Sequence, residues 1–205
     1  MKQRDAFLDG EGQAWYERNK DKLGQSDPVC DVIEELGLKP TSVLEVGCAD
    51  GWRLKKLKAK YGCVVTGIEP ALLEEIEYED GEIARGTADE LVWTSKNEFD
   101  LVIYGFCLYL CDPEDYFRIA AEGDRVLKDG GHIIIHDFKP RMGKGLKIPY
   151  RHKPGLFSHH YDFKRLWLCH PAYRWVTDKF PVDEEDDQYV VVLKKDINNA
   201  FVVGV

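Results

Sequence analysis

The chain has 205 residues, enough for one full core and too few for two. Its composition, 44% hydrophobic and 32% charged, is that of an ordinary globular enzyme, and no apolar run reaches membrane-span length. A net charge of −9 argues against general affinity for nucleic acid or anionic membrane. The N-terminus lacks an apolar stretch of signal-peptide length, so a cytoplasmic protein is expected. The six cysteines form no CxxC pair and read as free, mostly buried thiols rather than a metal site.

In chain order, the first forty residues read as two helices. The second is capped by Ser26 or Asp27, opens on Pro28, carries Val29, Val32, Ile33 and Leu36 on one stripe, and ends at Gly37. Then the pattern alternates. Apolar strands are expected at 43–46, 63–68, 83–85, 101–104 and 132–136, with helices at 52–61, 70–77 and 113–128, the last capped by Asp112. Such alternation predicts a parallel sheet covered on both faces. Residues 139–171 are irregular and rich in Pro, His and aromatics. Two strands follow within 172–195, joined by the acidic loop Asp183–Asp187, and read as an antiparallel pair at the sheet edge. The apolar tail from Ile197 is expected on the core or on a partner subunit, so a homodimer is one expectation.

The strongest motif is VLEVGCADG at 43–51. A buried strand ends in a turn with Gly47 and Gly51 and runs at once into a helix, whose free N–H groups and close backbone approach suit a nucleotide-like ligand. The next apolar run ends in Glu69, whose carboxylate sits where it can accept bonds from ribose hydroxyls. A dinucleotide site needs G-x-G-x-x-G, but Ala49 and Trp52 stand at the second and third glycine positions.

The turn resembles motif I of class I S-adenosylmethionine-dependent methyltransferases, an acid-x-Gly-x-Gly-x-Gly sequence matched by Glu45, Gly47 and Gly51 and departed from at Ala49. GTADEL at 86–91 resembles the adenine loop, with Thr87 in place of a frequent acid. FDLVIYGFCLYL at 99–110 resembles the fourth strand and its exit, and DRVLKDGGHIIIHDF at 124–138 the helix, turn and fifth strand beyond it. The resemblance spans about residues 40–195. It implies a three-layer αβα sandwich, Rossmann-like, with a mostly parallel seven-stranded sheet and one antiparallel C-terminal strand. One domain is implied: N-terminal helices or lid (1–40), cofactor core (41–138), acceptor-binding insertion (139–171) and C-terminal strand pair (172–195). It also implies S-adenosylmethionine as cofactor, S-adenosylhomocysteine as product, and a cofactor surface made by Glu45, Gly47, Cys48, Ala49, Asp50, Gly51, Glu69, Pro70, Thr87, Ala88, Asp89, Tyr104 and Gly105. Tyr16 and Arg18 are placed against the methionine carboxylate.

The reaction implied is in-line displacement at the sulfonium methyl, where the protein mainly positions the reactants. His136, at the end of the fifth strand, is the first candidate for a general base, and His159 and His160 are the second. Phe106, Asp137 and Tyr161 are expected to touch the acceptor. Lys139, Arg141, Lys144, Lys147, Arg151 and Lys153 lie in sixteen residues without an acid, which suits an anionic small-molecule acceptor, with Lys147 and Arg151 as its contacts. A solvated basic loop and an RNA backbone are the competing readings of that segment. Methylation of RNA or protein, and a cofactor-binding subunit without chemistry, remain alternatives to small-molecule O- or N-methylation.

Overall fold

A computed structural model describes residues 2–71, 82–139, 145–179 and 187–201. The expected helix over 70–77 falls outside these residues beyond Ala71, as do most of the acidic loop, Arg141, Lys144 and residues 202–205.

The N-terminal segment is more broken than its pattern suggests. Helix α1 (Gln3–Ala6) passes through a wide turn, with Asp9 and Gly10 off helical geometry, into α2 (Gly12–Asn19). Helix α3 (Pro28–Glu35) starts as expected, and Asp27 is its cap: the carboxylate accepts the Cys30 N–H at 3.2 Å. The core then follows as β1 (Ser42–Val46), α4 (Trp52–Tyr61), β2 (Val64–Glu69), β3 (Glu82–Arg85), β4 (Phe99–Gly105), α5 (Tyr116–Val126) and β5 (Leu127–Phe138). Pro113–Asp115 form a tight turn before α5, so that helix starts later than expected, and the Asp112 side chain makes no cap bond. The segment 139–171 is less irregular than expected. It contains a hairpin, β6 (Leu146–Pro149) and β7 (Phe157–His160), and a single-turn helix α6 (Arg165–Leu168). Strands β8 (Tyr173–Lys179) and β9 (Gln188–Lys195) close the sheet.

The sheet order is β3-β2-β1-β4-β5-β9-β8. The first five strands are parallel and β9 runs against β5, so β9 is the one reversed strand. The alternation of side chains sorts the core into two layers. Leu44, Val46, Val102, Ile133 and Ile135 pack with Ile119 and Ala120 of α5. Val43, Leu101, Ile103 and Ile134 pack with Val29, Val32 and Ile33 of α3 and Leu54 and Leu57 of α4. Strand order reverses between β1 and β4, which opens a crevice at their carboxyl ends.

Beneath that crevice lies a buried ion cluster. Arg53 of α4 donates to Asp27 at 3.0 Å and to Glu45 of β1. Lys56 adds a contact to Asp27 at 3.2 Å. Gly105 is fitted to this cluster, because a Cβ there would stand 2.5 Å from Glu45 Oε1 and 3.0 Å from Arg53. Arg53→Met leaves buried Glu45 without its cation and Asp27 with Lys56 alone, and is expected to cost about 3–5 kcal/mol in urea unfolding. Adding Glu45→Gln to that variant should return part of the loss. A cost under about 1 kcal/mol would mean that water already screens the cluster.

Candidate active site

A cleft of about 760 Å³, measured to its open mouth, lies over the carboxyl ends of β1, β2 and β4. Its floor is Val46, Gly47, Ile68, Glu69 and Gly105, and one wall is Gly86, Thr87, Ala88 and Asp89. The N-terminal segment covers it with Arg4, Phe7, Gly12 and Trp15.

The turn after β1 is wound through three left-handed residues, Gly47, Ala49 and Gly51, with φ of 75°, 49° and 74°. Two are glycines, which adopt this conformation freely, and Ala49 is the strained member. Glu69 holds the turn in place. Its carboxylate accepts the Ala49 N–H at 2.9 Å and the Ala71 N–H at 3.1 Å. Burial pushes its pKa up to about 7, against the pull of those two N–H groups. A carboxylate offers about four lone-pair sites, so capacity remains for ligand hydroxyls. In the adjoining wall Asp89 accepts the Thr87 hydroxyl at 2.8 Å and pairs with Arg4 from the lid. Burial pushes the Asp89 pKa up, but these partners outweigh it and hold the group below the usual carboxylate range.

Other expected residues lie elsewhere. Glu45 points away from the cleft into the Arg53 cluster. Cys48 packs against Gly67, and Tyr104 is buried beneath α5 with its hydroxyl 3.4 Å from the Ile119 carbonyl. Asp50 sits at the start of α4, where it accepts the Trp52 N–H at 3.2 Å and lies beside Tyr16. Arg18 donates to Glu11 at 2.6 Å and to Tyr150 at 3.0 Å, so it does not reach the cleft either. The cation that lines the cleft is Arg4, in a sequence stretch with no helical periodicity to announce it. Trp15, bonded to the Tyr109 hydroxyl at 3.2 Å, went unnoticed for the same reason.

The acceptor-side residues also divide. Phe106 lines the cleft with a positive φ of 61°, a strained conformation for a bulky residue, and its ring meets Tyr109 and Phe138. Asp137 is fully buried rather than exposed to a substrate. It accepts the Tyr109 N–H at 3.2 Å and the Phe138 N–H at 2.8 Å, pinning the exit of β4, and burial raises its pKa to about 8. His136 turns to the α3 side, into a different cavity, with Nε2 2.7 Å from Gln188 Oε1. Burial, aided by Arg53, lowers its pKa to about 4, which makes it a weak base.

A larger cavity of about 1,280 Å³ lies between α5 and the β6–β7 hairpin. It is lined by Lys147, His159, His160 and Tyr161, four residues drawn from the expected acceptor-binding segment. Lys147 Nζ stands 3.8 Å over the Phe157 ring, and Tyr161 stacks on Tyr116. His160 contacts Ser158 at 2.9 Å and stacks on Phe138. Burial, then Lys147, holds His159 below its ordinary pKa. Arg151 is exposed beside His152 and lines none of these cavities. Asp112 borders both the cleft and the larger cavity. Among the described residues no group of three His, Cys, Asp or Glu is placed to hold a metal ion, and no helix is long and apolar enough to cross a membrane.

The reversed β9 beside five parallel strands, with an acid at the end of β2 and a glycine turn after β1, defines a Rossmann-like fold of the methyltransferase type. A family model described as a methyltransferase domain matches residues 44–135. The cofactor core of the chain thus matches a methyltransferase domain, a match that implies S-adenosylmethionine as cofactor. No curated protein matches its sequence. Solved structures share the fold at low identity. One is a 1,6-didemethyltoxoflavin N1-methyltransferase from Burkholderia thailandensis with bound 1,6-didemethyltoxoflavin and S-adenosylhomocysteine. It is 18% identical at a TM-score of 0.74, over 94% of this chain and 88% of that one. Another is a putative methyltransferase of Haloferax volcanii in complex with the Trm112 activator, 14% identical at 0.67, over 90% and 95%. A third, the [4+2]-cyclase SpnF, is 14% identical at 0.61, over 82% and 80%.

The cleft fits this cofactor: Glu69 lies in its floor with acceptor capacity to spare and would hold the ribose hydroxyls. Its pH dependence follows. Hydroxyl donors favour the carboxylate, so S-adenosylhomocysteine should bind more weakly as pH falls below about 7 and reach a plateau above it. The same raised pKa makes the ligand-free fold lose stability through this group as pH rises from about 4 toward 7. Calorimetry across pH 5.5–8.5 tests the binding. Glu69→Gln should flatten the profile, and an unchanged profile in that variant would remove Glu69 from the ribose.

Proposed function

We propose that the chain methylates a small anionic molecule, on oxygen or nitrogen, bound in the cavity between α5 and the β6–β7 hairpin. One observation carries the reading: the cavity that holds Lys147 and two histidines shares Asp112 as a wall with the cofactor cleft. The Burkholderia neighbour, which binds a small heterocyclic acceptor, supports it.

In this reading Gly47 and Glu69 hold the cofactor, with Thr87, Ala88 and Asp89 around its adenine. The bound sulfonium supplies an activated methyl and its own leaving group, so the protein has no covalent step to perform. Phe106 and Tyr109 exclude water near the end of β4. Lys147 draws the anionic group into the cavity. His159, neutral at pH 7 because of its lowered pKa, is able to accept a proton from an O–H or N–H acceptor. A hydrogen bond of His160 to Ser158 fixes its ring beside Phe138.

A panel of small carboxylates, phenols and phosphates, assayed for S-adenosylhomocysteine release, tests the proposal. With any anionic acceptor so found, Lys147→Met should raise KM about tenfold while cofactor affinity stays the same, the loss of one charge-assisted contact. Arg151→Met should be silent. Equal turnover of an uncharged acceptor by Lys147→Met, or methylation of RNA or protein alone, would overturn the reading.

A further inference from the structure

Neighbouring residues of α1 face different cavities. Arg4 lines the cofactor cleft and Gln3 lines the larger cavity. Gln3 is 3% exposed, and each of its polar groups toward these walls is engaged. Its backbone N–H donates to Asp112 at 2.7 Å, and its Nε2 donates to the Leu110 carbonyl at 2.6 Å. Its Oε1 accepts the Phe157 N–H of the hairpin. Leu110 borders the cleft, Phe157 borders the larger cavity, and Asp112 borders both.

We propose that Gln3 is a positioning residue that couples the two cavities, so that cofactor binding completes the acceptor site and the order of binding is cofactor first. The proposal rests on the acceptor site assigned above and adds its assembly.

The argument is one of shared parts. The lid is held over the cleft by several contacts away from Gln3: Arg4 with Asp89, Arg85 with the Leu8 carbonyl, Lys2 with Asp115, and Gly12, packed so closely that a Cβ there would stand 3.0 Å from Ala71 N and 3.2 Å from the Pro70 carbonyl carbon. A ligand in the cleft touches the lid through Arg4, Phe7 and Trp15 and therefore favours the docked position. With α1 docked, Gln3 has both a turn of the cleft and a strand of the hairpin within reach. With α1 away, the Phe157 N–H and the Leu110 carbonyl lose their partner, and the hairpin loses one of its ties to the exit of β4. Two half-buried backbone groups left unmatched disfavour that state, so the coupling has a sign: what holds the lid down also holds the hairpin.

Hydrogen exchange on the full chain, with and without saturating S-adenosylhomocysteine, tests this. The ligand should slow exchange of the Phe157 amide, which lies outside its cleft, by about tenfold, the worth of one or two hydrogen bonds. Gln3→Met keeps the side chain's volume and removes its amide. In that variant the ligand-induced slowing at Phe157 should vanish, while S-adenosylhomocysteine affinity by calorimetry stays within about threefold, because the other lid contacts remain. Retained slowing at Phe157 in Gln3→Met overturns the proposal. So does a loss of affinity as large as the loss of protection, since Gln3 would then only hold the lid. Absence of any binding in the unmodified chain would count against the cofactor site rather than the coupling. Slowing at Phe157 together with an acceptor found elsewhere would overturn only the assignment of the cavity.

Discussion

The cofactor turn rests on a buried charge cluster that it does not touch. Arg53 comes from the helix that follows the turn, Glu45 from the strand that precedes it, and Asp27 from the cap of α3. Three elements are thereby fixed to one guanidinium, and the ends of the turn cannot move independently. Burial pushes Glu45 up to about 6, which Arg53 opposes, so the cluster is held by geometry in a place where water could not hold it. Gly105 completes the arrangement by leaving room on the next strand. The motif's first acid therefore serves the shape of the site, and Glu69 is the acid that lines the cleft.

A second constraint is the division of labour between the two faces of β5. Asp137 faces the α5 layer and binds the backbone that leaves β4. His136, one residue earlier, faces the α3 layer and is occupied with Gln188. Alternation along a strand sends neighbours to opposite sides, and in β5 it parts His136 from Asp137. Polar residues that do share a cavity come from the hairpin, where β6 and β7 place Lys147 opposite His159.

Much of the core was legible in the sequence because it depends on short-range signals. Strand β1, the glycine turn and α4 follow from one apolar run, two glycines and one amphipathic helix. Glu69 follows from its place at the end of the next run. The resemblance implies a lid over residues 1–40 but not its contacts, because Gln3, Arg4 and Trp15 owe their position to Asp112, Asp89 and Tyr109, far along the chain. The hairpin was hidden for a related reason: it pairs outside the main sheet, and its strands are too short to show a period. Glu45 was read by motif as a ligand contact, and only its pairing with Arg53 shows which way it points.

The hairpin stands as a separate two-stranded sheet, hydrogen-bonded to none of the seven main strands. Its strands are therefore free to vary without disturbing the register of the core or the acid at the end of β2. Under the reading proposed here, selection for a new acceptor has a small, self-contained target in residues 146–160, while the methyl-donor machinery is inherited intact. A chain built this way is expected to diverge fastest where it meets its acceptor and slowest where it meets its donor.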